Sequence, residues 1–151
     1  MKFKAFFYFL VPLGLLTAPA SASPLSGYWL TEDAAVIVGI DRCGSKEETV
    51  CGLIVAFPGA AKVTELAAAQ DALCQQPVLW DLKKTEAQAW QIGKIFDPRT
   101  ERIYKARLDL SGTRLTVRVS TGFPGLGDTL VWTRFTGHVK ECRATRNAKS
   151  K

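Results

Sequence analysis

The stretch from Ile103 to Ser120 constrains the fold more than any other. Tyr104, Ala106, Leu108 and Leu110 alternate with Lys105, Arg107 and Asp109. After Ser111-Gly112 the pattern resumes, with Leu115, Val117 and Val119 set against Arg114, Thr116 and Arg118. A period of two places apolar groups on one side of an extended chain and charges on the other, as in a sheet with one wet face. A tight turn between two such runs predicts a hairpin. Six further runs rich in β-branched and aromatic residues bring the expected strands to eight: about 27 to 31, 35 to 40, 52 to 57, 77 to 82, 89 to 96, 103 to 110, 114 to 120 and 129 to 135. Clusters of Gly, Pro, Asp and Ser separate them, so the expected class is all-β and antiparallel. The exception is AKVTELAAAQDAL, residues 61 to 73, whose alanines and helical spacing predict one short helix between strands 3 and 4.

The N-terminus is not part of that domain. Met1-Lys2-Phe3-Lys4 precedes an apolar run from Ala5 to Thr17, and Ala20-Ser21-Ala22 supplies small residues at its end. This is the pattern of a secretory signal peptide cleaved after Ala22. The run contains Pro12 and Gly14 and falls short of the roughly 20 apolar residues of a membrane-spanning helix. The expected organisation is a leader over 1–22, a barrel domain over 23–139 and a basic tail over 140–151. Localisation is then periplasmic or secreted.

The formal charge of +6 belongs to the two ends. Between Ser23 and Val139 there are 13 basic and 13 acidic residues, whereas residues 140 to 151 hold five Lys/Arg against one Glu. A neutral body lacks the basic stripe that tracks a phosphate backbone, so no nucleic-acid partner is expected. The tail reads as a solvated end, and any contact it makes with the anionic envelope is expected to be weak.

Four cysteines, Cys43, Cys51, Cys74 and Cys142, allow three pairings, and export to an oxidising compartment favours bridges. Cys43 and Cys51 flank a polar segment between the apolar runs AVIVGI and GLIVAF, where they can face one another across a hairpin. That leaves Cys74 with Cys142.

Eight short strands in one neutral body leave a closed barrel, a sandwich or a membrane barrel. An immunoglobulin-type sandwich needs widely separated cysteines, and a membrane barrel needs strands of about nine to eleven residues. Gly27-Tyr28-Trp29 on the first strand with Trp132-Thr133-Arg134 on the last resembles the lipocalin and calycin barrel signature. That resemblance implies an eight-stranded lipocalin-like barrel in which Arg134 packs across Trp29 at the closed end. GYWLTED, the CG pairs at Cys43-Gly44 and Cys51-Gly52, WQIGKIFDPRTERIY and VWTR further resemble an uncharacterised family of small secreted bacterial proteins with this fold. The chain departs from that family twice. The alanine-rich helix stands where the family has a polar loop with an Asp-Asn-Pro element, and Glu101 stands at a turn position where the family has Gly.

The physical reading of GYWL is a plug. Closing a barrel brings the first and last strands together, and an indole fills the narrowing end. Gly27 leaves room there for neighbouring groups. Gly27, Trp29, Trp132 and Arg134 are therefore the expected barrel closure. Trp80, Trp90, Phe96 and Tyr104 are the candidate ligand-binding residues, on the expectation that they line an interior; equally, they fill it. No catalytic residue, cofactor or metal site is expected. The single histidine, His138, follows the last strand, and Glu32-Asp33 and Glu47-Glu48 are adjacent pairs that point to opposite faces. The chain thus reads as a non-enzymatic, exported binder of a small apolar molecule or lipid. The alternative is an envelope interaction protein with a filled barrel.

Overall fold

A computed structural model describes residues 23–44, 49–59, 70, 72–84, 89–122 and 126–143. Eight strands follow one another: β1 Gly27–Leu30, β2 Ile37–Arg42, β3 Thr49–Ala56, β4 Pro77–Lys84, β5 Ala89–Asp97, β6 Arg102–Ser111, β7 Arg114–Ser120 and β8 Gly127–Arg134. Each pairs antiparallel with the next, and β8 returns to β1, so the sheet closes on itself as a barrel. All eight expected runs are strands, with ends shifted by up to three residues, most where β2 and β3 extend toward their shared hairpin. There Asp41 pairs with Cys51 and Arg42 with Val50. Each rung sets a charged residue of β2 against Cys51 or the buried Val50 of β3, so β2 continues past its apolar run.

The helix expected over 61 to 73 falls mostly outside the described residues. Its end is described: Gln70, Ala72 and Leu73 are helical, and Cys74 N–H donates to Gln70 O at 2.9 Å. The chain then docks on β3, where Gln75 N–H donates to Ile54 O at 2.8 Å and Ile54 N–H to Gln76 O at 3.0 Å. The segment expected to be a leader, residues 1–22, and residues 144–151 of the expected tail also lie outside the described residues. Among the described residues no helix is long and apolar enough to cross a membrane.

The closing seam is short. Trp29 pairs with Arg134 and Leu30 with Thr133, and the register between β1 and β8 ends there. Side chains reinforce what two rungs leave weak. Arg134 lies over the Trp29 ring at 4.2 Å from its centroid. The two terminal nitrogens of its guanidinium donate to carbonyls of the segment before β1: Nη1 to Ser26 O at 3.0 Å and Nη2 to Pro24 O at 2.8 Å. The fully buried indole donates from Nε1 to Leu25 O at 2.9 Å, and Leu25 itself is fully buried. Residues 23 to 26 therefore fold under the barrel as a turn, held by Ser26 N–H to Ser23 O at 2.8 Å. Gly27 follows at φ 125°, and a Cβ there would stand 2.8 Å from Arg134 Nη1. Glycine answers both constraints at once.

A second apolar layer lies outside the barrel. Ile37, Val55 and Ala56 are buried on the outer face of β2 and β3, against Tyr28, Leu30, Leu53, Phe135 and Val139. The covering segment runs on from β8. Phe135 N–H donates to Tyr28 O and Cys142 N–H to Val55 O, and Cys142 is bridged to Cys74. Tyr28 donates its phenol proton to Glu141 Oε1 at 2.8 Å, and this hydrogen bond, with the carboxylate's charge, raises the Tyr28 pKa. The second bridge joins Cys43 to Cys51 across the β2–β3 hairpin, so both pairings are those expected. Glu101 takes φ 53° in the β5–β6 turn, a left-handed conformation that glycine adopts more readily.

Two expectations follow. Replacing Cys74 and Cys142 by Ser should cost about 4 kcal/mol on loop-closure grounds, against roughly 2.5 kcal/mol for Cys43 and Cys51, as read by chemical denaturation. A double-mutant cycle between Trp29→Leu and Arg134→Ala should give a coupling of about 0.5–2 kcal/mol. Additive losses would show that the stack does not hold the seam.

Candidate functional site: the upper barrel cavity

Antiparallel order sends alternate connections to opposite ends. The Leu25 turn, the Cys43–Cys51 hairpin and the β6–β7 turn lie at the base, and the β1–β2, β5–β6 and β7–β8 connections lie at the other end. The inward side chains of β8 give the axis: Asp128 at the mouth, then Leu130, then Trp132, with Arg134 at the base. The lower interior is filled by Leu25, Trp29, Ile40, Val50, Leu82, Leu108 and Leu115, all 2% exposed or less. The upper interior is not. A cavity of about 670 Å³ opens between the mouth connections.

Its deep wall is apolar: Val38, Ile54, Val78, Ile95, Leu130 and Trp132 all border it. Polar groups gather at the mouth. Glu32 and Asp33 come from the β1–β2 connection, Asp97 to Thr100 from the β5–β6 hairpin and Asp128 from the start of β8. Much of this rim is held by its own hydrogen bonds. Asp33 Oδ1 accepts from Thr31 Oγ1 at 2.7 Å and from Ala35 N–H at 3.1 Å. Asp97 accepts from Arg99 N–H and Thr100 Oγ1, both at 2.9 Å. Glu32 Oε2 accepts from Val131 N–H at 3.4 Å, at the place where β8 would have paired with β1 had the seam continued.

The sequence candidates divide. Tyr104 borders the cavity from β6, with its hydroxyl 3.4 Å from Thr100 Oγ1. Phe96 borders it too, but its register partner is Ile103, 60% exposed, so strand alternation assigns its ring to the outer face. Trp80 is half-buried, pairs with exposed Lys94 and is not part of the cavity wall. Trp90 pairs with Lys84 and Leu108, and its side chain lies outside the described residues. Of the four expected closure residues, Gly27, Trp29 and Arg134 meet at the base. Trp132 stands higher, 4% exposed, as part of the cavity's wall.

The sequence reading missed the aliphatic wall. Val38, Ile54, Val78 and Leu130 were visible as apolar strand residues, but nothing in a strand pattern separates an inward side chain that meets a neighbour from one that meets a void. Among the described residues no three His, Cys, Asp or Glu side chains converge to hold a metal ion. His138 is exposed beyond β8.

Residues 27–134 match the family described as "Uncharacterized protein conserved in bacteria (DUF2147)", and the chain belongs to that family. It is similar in fold to the solved structure of protein HP1028 from the human pathogen Helicobacter pylori, described as belonging to the lipocalin family. That match has a TM-score of 0.55 and 17% identity, and covers 74% of this chain and 83% of that one. The barrel is therefore lipocalin-like. Among curated proteins, none matches the sequence.

Proposed function

We propose that this member of the family is an exported binding protein that holds a small apolar or amphiphilic molecule in the upper half of its barrel. One observation carries the reading: a cavity of about 670 Å³ with an aliphatic deep wall and a single polar end. Ligand pockets commonly enclose about 300–1,000 Å³, are mostly apolar and use a few polar groups for orientation. The lipocalin-like fold supports the same reading, because an eight-stranded barrel is wide enough to hold one small ligand. Binding rather than catalysis is the role proposed.

Export is supported by the two disulfides, which persist in oxidising compartments, together with the leader pattern in the sequence. The alternative of a filled barrel finds support only in the lower half. No specific observation favours a contact between the tail and the envelope.

The test is displacement of an environment-sensitive apolar dye. The dye should gain fluorescence with the purified protein, and Leu130→Trp, which places a large ring in the cavity, should weaken its binding about tenfold or more. Because that ring enters a void and not a packed core, the melting temperature should fall little. Dye binding unchanged by Leu130→Trp would refute the cavity as the site.

A further inference from the structure

The charge at the mouth points beyond an apolar ligand to the kind of head group it carries. Among the described residues four carboxylates border the cavity, Glu32, Asp33, Asp97 and Asp128, against one cation, Arg99. Arg99 is already committed, with Nε 3.6 Å from Asp97 Oδ1. Glu32, Asp33 and Asp128 form no salt bridge among the described residues. Glu101 and Arg102 of the same hairpin carry opposite charges and are not part of the wall.

These carboxylates stand on three separate connections around an opening and do not converge on a point. Together they favour positive charge at the polar end of a cavity whose deep wall is apolar among the described residues. A fatty acid with its chain among Val38, Ile54 and Leu130 would have to hold its carboxylate inside that ring. A cationic head would occupy the same place with attraction, and low-dielectric walls strengthen such a field relative to open water.

We infer that the ligand is an amphiphile whose polar end is cationic, an amine or a quaternary ammonium, with its chain in the barrel and its head at the carboxylate rim. The inference rests on the cavity being the binding site and adds the sign of the head group.

Three probes with the same twelve-carbon chain separate the two claims: dodecyltrimethylammonium, dodecanol and dodecanoate. Each competes with the apolar dye on the full chain, below its micelle concentration. The cation should bind about tenfold more tightly than dodecanoate at low ionic strength, with dodecanol between them. The ratio should shrink at about 0.15 M salt, where screening acts over about 8 Å. In the double variant Glu32→Gln/Asp128→Asn the ratio of cation to anion should fall toward one. Glutamine keeps an acceptor for Val131 N–H, so the β8 edge stays satisfied. Dodecanoate binding as tightly as the cation, or a ratio unmoved by the variant, would overturn the charge inference while dodecanol binding upholds the cavity. Absence of dodecanol and dye binding would overturn both.

Discussion

A sheet becomes a barrel only if its first and last strands meet, and here they meet over two residue pairs. That is a small ladder for the one junction that removes both free edges. The stack of Arg134 on Trp29 makes up the difference, because the same guanidinium also anchors the turn beneath the barrel through Ser26 and Pro24. Indole, guanidinium and two carbonyls form one unit, and Leu25 completes it by closing the floor. The need for glycine at position 27 follows from the same unit, since Arg134 occupies the space that a side chain would take.

Closing the base so tightly leaves the other end with a different character. β1 has only four residues, so the seam stops well below the mouth, and a side chain, Glu32, satisfies the Val131 N–H that the missing rungs leave exposed. The interior follows the same gradient. Large side chains pack to nearly zero exposure in the lower half, while the upper half is lined by valines, isoleucines, a leucine and Trp132 around a void. The outer layer beside the Cys74–Cys142 bridge covers the outside of β1 to β3. A filled base and a hollow top are thus one design, and the cavity is where the packing stops.

Much of this was legible in the sequence, for identifiable reasons. The strands were readable because β6 and β7 alternate cleanly, and closure because Gly27 and Trp29 on the first strand and Arg134 on the last carry the resemblance to lipocalin-like barrels. The continuous apolar run GLIVAF was a further signal, since a strand without alternation has both faces covered: Ile54 faces the interior and Val55 the outer layer. What covers it was not readable, because residues 135 to 142 carry no period. The cavity wall is legible only in part, because the size of an aromatic side chain does not say which face of its strand it occupies: Tyr104 borders the cavity and Trp80 does not. In β4 the period itself fails. Asp81 takes φ 57° and consecutive Val78 and Leu79 are both buried, so alternation cannot be followed to Trp80.

The barrel is sealed and filled at one end and hollow at the other. Methyl-resolved NMR during titration with dodecanol tests that division directly. Resonances of Val36, Val38, Val119 and Leu130 should shift, while those of Leu25, Leu82, Leu108 and Leu115 stay in place. Shifts spread evenly over both groups, or confined to the outer methyls of Leu53 and Val55, would contradict it.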